Sequence, residues 1–160
     1  MVGLLSVKDV TCCFTGHRDM GEVEIKDLHK ILSEKIAKLI KSGYRCFLSG
    51  GALGFDIEAA SVVLHMKSLY PSIKLIMVLP CKNQAKSWQE KDVDRYNKII
   101  SQADERIYTS ETMSRGCYHI RNKYLVDHSS CCIAYQTKQS GGTAYTVKYA
   151  EIKGLAINIL

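Results

Sequence analysis

Short apolar runs alternate with segments of helical period from Val10 to Leu160, and that alternation leaves few folds open to the chain. Val10–Thr15, Arg45–Leu48, Ile73–Leu79, Glu105–Thr109, Cys131–Tyr135 and Leu155–Leu160 read as strands, mostly rich in β-branched or small apolar residues. Between them, helices are expected over about 24–42, 54–69, 88–103 and 115–126, and from the Gly141-Gly142 turn to Gly154. In the first of these, Ile25, Leu28, Leu32, Ile36, Leu39 and Ile40 recur at helical spacing, and Gly43 stands where a helix ends. Ile73–Leu79 is an almost unbroken apolar run, as expected of a strand covered on both faces at the centre of a parallel sheet. Parallel neighbours must be joined by crossover segments, usually helices. The expected fold is therefore α/β: a Rossmann-like, doubly wound, mostly parallel sheet flanked by helices on both faces. No G-x-G-x-x-G follows the first strand, so the dinucleotide fingerprint is missing.

At 160 residues and 46% hydrophobic, residues 1–160 are expected to form one domain with a core that needs no staples. No apolar run approaches the roughly 20 residues of a spanning helix. Met1–Ser6 is too short for a secretory signal and lacks its basic flank. A cytoplasmic protein without a membrane partner is the expectation. Seven cysteines, an odd number with adjacent pairs at Cys12-Cys13 and Cys131-Cys132, fit that compartment. There is no C-x-x-C, and the histidines and acids show no ligand spacing, so neither metal nor cofactor is expected. The formal charge of +6 is spread along the chain, which suits an anionic ligand and serves solubility equally.

Three glycine-bearing turns follow expected strands: Thr15-Gly16-His17-Arg18, Ser49-Gly50-Gly51-Ala52-Leu53-Gly54 and Ser140-Gly141-Gly142-Thr143. Ligands of open α/β sheets bind outside the carboxyl ends of the strands, where such turns collect. Glycine admits close backbone approach, and a following helix offers free N–H groups to an anion. The candidate ligand residues are Gly16, His17, Arg18, Ser49, Gly50, Gly51, Asp56, Arg121, Asn122, Gly141, Gly142 and Thr143. Arg18 and Arg121 suit bidentate pairing with phosphate. His17 reads as a ligand contact or a structural hydrogen bond. Asp56, near a helix start, reads as a cap or as an acceptor for ribose hydroxyls. The second turn lacks the Gly-Lys-Ser/Thr end of a P-loop, which argues against nucleoside-triphosphate hydrolysis. Cys81 and Trp88, beside the loop after Pro80, read mainly as packing residues.

These motifs carry a resemblance. Cys13–Arg18, Ser49–Asp56, Gln84 with Trp88 and Tyr96, Arg121-Asn122 with Val126-Asp127, and Gly141–Thr143 with Tyr149-Ala150 resemble the YpsA-type family. That family belongs to the SLOG superfamily, with the DprA/Smf DNA-processing proteins and the Lonely Guy phosphoribohydrolases. The resemblance implies a Rossmann-like sheet with a pocket for nucleotides or their derivatives, and it raises a homodimer. Lonely Guy enzymes carry Pro-Gly-Gly-x-Gly-Thr-x-x-Glu with a catalytic glutamate. Aligning the paired glycines puts Lys148 at that position, while Arg121 matches the accompanying arginine. The catalytic residues thus stay unassigned, and a sensor for a small nucleotide-derived ligand (a nucleoside monophosphate or an ADP-ribose-like compound) is the leading expectation. An N-glycosidic hydrolase comes second, with Asp56 or Glu58 as the carboxylate to look for. Single-stranded DNA binding through Arg18, Arg121, Lys123, Tyr118 and Tyr124 comes third.

Overall fold

The computed structural model describes residues 6–160; the opening segment read above for a secretory signal lies outside them except for Ser6. A short 3-10 turn at Val7–Val10 leads into β1 (Thr11–Gly16). There follow α1 (Ile25–Lys41), β2 (Cys46–Ser49), α2 (Phe55–Met66), β3 (Lys74–Leu79) and α3 (Glu90–Gln102). The chain continues through β4 (Glu105–Tyr108), α4 (Cys117–Asp127), β5 (Cys131–Tyr135), α5 (Gly142–Ile152) and β6 (Ala156–Ile159). The strands form a 6-stranded sheet in the order β4-β3-β2-β1-β5-β6, and every pairing is parallel.

Strand residues point alternately to the two faces, and each face has its own core. Phe14, Phe47, Leu75, Met77 and Ile133 pack on one side with Leu28, Leu32 and Ile36 of α1, Val63 of α2 and Ile99 of α3. Cys13, Leu48, Ile76, Val78, Cys132 and Ala134 pack on the other with Leu125 and Val126 of α4 and Val147 and Ala150 of α5. The central strands are covered on both faces, so β1, β3 and β5 read as continuous apolar runs rather than as alternating ones.

The chain winds outward from β1 through β2 and β3 to β4, then returns to place β5 on the other side of β1. The connections leaving β1 and β5 therefore diverge onto opposite faces of the sheet. A crevice opens between them at the strands' carboxyl ends, the general ligand position of open α/β sheets.

Candidate functional site

A cavity of about 340 Å³ occupies that crevice. The end of β1 contributes Thr15, Gly16, His17 and Arg18 to its lining, and the β2–α2 segment contributes Ala52 and Asp56. Helix α4 presents Tyr118, Arg121 and Asn122, a spacing that puts all three on one face. Lys138, Ser140, Gly141, Gly142 and Thr143 close it from the β5–α5 side.

Nine of the residues anticipated from sequence meet here: Gly16, His17, Arg18, Asp56, Arg121, Asn122, Gly141, Gly142 and Thr143. Ser49, Gly50 and Gly51 do not line the cavity; all three are buried beneath it. Their glycines serve close approach by the protein's own side chains. A Cβ on Gly50 would sit 2.5 Å from Arg121 Nη1 and 2.9 Å from Asp56 Oδ2. The Ser49 hydroxyl donates to the Asp56 carbonyl at 2.8 Å and accepts the Gly51 N–H at 3.3 Å, fixing the start of α2 to the strand end.

Arg121 is 4% exposed. Its Nη1 donates to the Gly50 carbonyl at 2.5 Å and its Nε to Asn122 Oδ1 at 2.7 Å. Asn122 thus positions the guanidinium, whose Nη2 donates to nothing among the described residues. The Gly50 carbonyl also accepts from Gln84 Nε2 at 3.4 Å, and that amide reaches Tyr96 Oη at 3.3 Å. Burial pulls the Arg121 pKa below its ordinary value, and the carboxylate of Asp56 acts in the opposite direction. Arginine starts so high that the group stays a cation. The Tyr118 ring lies 5.6 Å from the Arg121 Cζ and 5.1 Å from that of Arg18, within cation–π range of both.

Asp56 is the lining's one carboxylate. It does not cap α2: the N-cap is Gly54, with no side-chain cap, and Phe55 N–H donates to the His17 carbonyl at 3.1 Å. The Asp56 Oδ2 instead accepts the Ala52 N–H at a long 3.4 Å, and no cation comes within ion-pair distance of it among the described residues. Burial pushes its pKa up to about 6, against the pull of Arg121, the Ala52 N–H and Arg18. Glu58, the other carboxylate considered, turns away into ion pairs with Arg95 at 2.6 Å and His29 at 3.0 Å.

His17 Nε2 accepts the Thr137 N–H at 2.9 Å, so its ring tethers the β5–α5 loop. Burial and the nearby charge of Lys138 hold His17 below its ordinary pKa, in keeping with a neutral acceptor. Gly141 is the N-cap of α5 and offers no side-chain cap, and apart from its chain neighbours and the helix backbone no atom lies within 4 Å of where a Cβ on Gly142 would stand. No acceptor outside the helix meets the N–H groups of Gly142, Thr143 and Ala144 among the described residues, and Gly142 and Thr143 line the cavity with Gly141.

Five lining residues stood outside the candidate set. Thr15, Ala52 and Ser140 belong to the three turns themselves, and Tyr118, named above only for single-stranded DNA binding, joins the site through its spacing to Arg121 and Asn122 on one helix. Lys138 carries no such signal, since only the pairing of β5 with β1 brings its loop here. Lys148 and Glu151 lie outside this cavity, on another depression of the surface. Tyr124 stacks on His128 and packs against the second core, and Lys123 lies over Tyr149, so neither joins Arg18 and Arg121. Trp88 packs edge-on to Tyr96 at 5.1 Å, and Cys81 is fully buried.

An all-parallel sheet with a cation-rich pocket at its switch point defines a Rossmann-like α/β protein. The YspA SLOG family (YpsA) matches residues 12–157, and the chain belongs to that family. It is 29% identical over 133 residues to a UPF0398 protein of Bacillus cereus strain B4264, covering 81% of this chain and 72% of that one. A UPF0398 protein of Bacillus thuringiensis strain Al Hakam is 28% identical over the same coverage.

Among solved structures, the chain resembles DNA processing protein A (DprA) of Helicobacter pylori, described with a single-stranded DNA binding mode. The TM-score is 0.67 at 20% identity, covering 95% of this chain and 65% of that one. DprA of Streptococcus pneumoniae gives a TM-score of 0.66 at 16% identity; the match covers 96% of this chain and 50% of that protein, so this chain spans about half its length. At these identities the likeness shows the fold alone. No helix among the described residues is long and apolar enough to cross a membrane.

Proposed function

We propose that this chain binds a small nucleotide-derived ligand and acts as a sensor or signalling module. The observation that carries the reading is the convergence of Arg18, Arg121, Lys138 and the uncapped α5 N-terminus on one cavity. Guanidinium groups and helix N-termini both favour phosphate. About 340 Å³ is near the lower end of the ~300–1,000 Å³ usual for small-molecule pockets, which favours a nucleoside monophosphate over a dinucleotide. The test is thermal melting with AMP, ADP-ribose, NAD and a short single-stranded oligonucleotide, each mixture assayed afterwards for released base. A shift with AMP and no free base supports the reading. A shift with the oligonucleotide alone moves DNA handling to first place.

One observation favours a second reading, N-glycosidic hydrolysis: a carboxylate, Asp56, does line the cavity close to Arg121. Cleavage of such a bond develops oxocarbenium-like charge that a carboxylate stabilises. Stoichiometry decides between the two. Base released in large excess over protein makes this an enzyme.

A further inference from the structure

Resting on the nucleotide reading above, we infer that Asp56 reads the ribose 2′-hydroxyl, so that the site takes ribonucleotides and rejects 2′-deoxyribonucleotides. Asp56 is 6% exposed, and an ionised carboxylate has about four acceptor positions. The fold fills one of them, with a 3.4 Å bond from the Ala52 N–H. No protein donor meets the other Asp56 oxygen, which is not fully buried and so touches the solvent of the cavity; a ligand that displaces that solvent must supply a donor in its place. The partner cannot be phosphate, which the carboxylate repels. It must be a donor, neutral or positive, that enters through the cavity.

The neighbour narrows the donor's chemistry. Arg121 Nη1 and Asp56 Oδ2 both lie within 3 Å of where a Gly50 Cβ would be, so an acceptor and a buried donor group stand side by side. A cationic amine would suit Asp56 alone but be repelled by Arg121, Arg18 and Lys138. A hydroxyl donates and accepts at once, and a vicinal diol offers two such groups. On a nucleotide whose phosphate sits against the α5 N-terminus, that diol is the ribose. A site built to hydrogen-bond a hydroxyl discriminates strongly against the analogue lacking it, because its own buried group is then left unpaired.

The test is calorimetric titration with AMP, 2′-deoxy-AMP and inorganic phosphate, on the wild type and on Asp56→Asn. AMP is expected to bind at least tenfold tighter than 2′-deoxy-AMP to the wild type. In Asp56→Asn that ratio should fall to within about threefold, while inorganic phosphate binds more tightly because a negative charge beside the cations is gone. The tighter phosphate binding is a gain that a misfolded variant would not give. Equal wild-type affinity for AMP and 2′-deoxy-AMP overturns the inference and leaves the nucleotide reading standing. Binding of neither nucleotide by the wild type overturns both.

Discussion

Asp56 and Glu58 stand two residues apart on α2, are both buried, and are driven in opposite directions. Burial raises Asp56 to about 6 from 3.8, so between those pH values the folded chain holds a proton that the unfolded chain has released. Its effect on stability is a penalty that sets in as pH rises from about 4 to 6 and persists above. Asp56→Asn should therefore stabilise the empty protein at pH 7.5, by up to about 3 kcal/mol for a shift of that size. The gain should vanish near pH 4, as read by denaturant melts at the two pH values. Such a trade of stability for function is common at binding sites. For Glu58, burial alone would raise the pKa, but hydrogen bonds from Arg95 and His29 outweigh it and hold the group below its ordinary 4.5. That contribution is present above the ordinary value and is lost as pH falls through the depressed one. Glu58→Gln should cost on the order of 1 kcal/mol at pH 7, since its partners are partly solvated, and close to nothing at low pH. Parallel pH profiles for the two variants would show that the carboxylates share one environment after all.

At the scale of elements, the site depends on how closely the β1–α1 turn approaches the start of α2. Gly54 makes that approach possible: its φ is +86°, and a Cβ there would run into the carbonyl oxygens of His17 and Arg18. Gly54→Ala is expected to destabilise by about 2–4 kcal/mol, from backbone strain plus overpacking. It should also abolish AMP binding at temperatures where the variant is still folded; wild-type behaviour on both counts would mean the turn yields. The elements themselves were legible because their signals are local. Cys131–Tyr135 matches β5 to the residue, and of the six residues expected on the apolar stripe of α1, Leu28, Leu32, Ile36 and Ile40 form its buried face, Leu39 is partly buried and Ile25 is exposed. Where boundaries moved, a local contact moved them. Helix α3 starts at Glu90 rather than Trp88, because Trp88 N–H bonds the Ala85 carbonyl in the preceding turn while its ring packs on Tyr96. What could not be read was strand order. Motif composition placed Ser49, Gly50 and Gly51 with the ligand residues, but whether such a turn faces solvent or lies under a neighbour depends on which helix crosses it. Here Arg121 crosses it. The same long-range fact brings Lys138 to the site.

At the scale of the whole molecule, the cavity is assembled from segments that start at Thr15 and end at Thr143, drawn from both sides of the switch point. Its walls are continuous with the two central strands: Thr15 ends the buried run of β1, and β5 pairs with β1 along its full length. A ligand that touches all of these segments can bind only when the sheet is intact, so its binding energy adds to global stability rather than to one loop. At about 100 times its dissociation constant, AMP should add roughly 2.7 kcal/mol, which for a chain of this size is a rise in Tm of about 5–10 °C. The denaturant m-value should stay unchanged, since the surface exposed on unfolding is nearly the same. Hydrogen exchange offers a finer check. Amides of β1 and β5 exchange through global opening if they form the most stable unit, and they should slow by the same factor as the melt predicts. Protection confined to the loop before α5, with no change in β1 or β5, would mean that the helix N-terminus alone holds the anion. The convergence of Arg18, Arg121 and Asp56 would then have no part in binding.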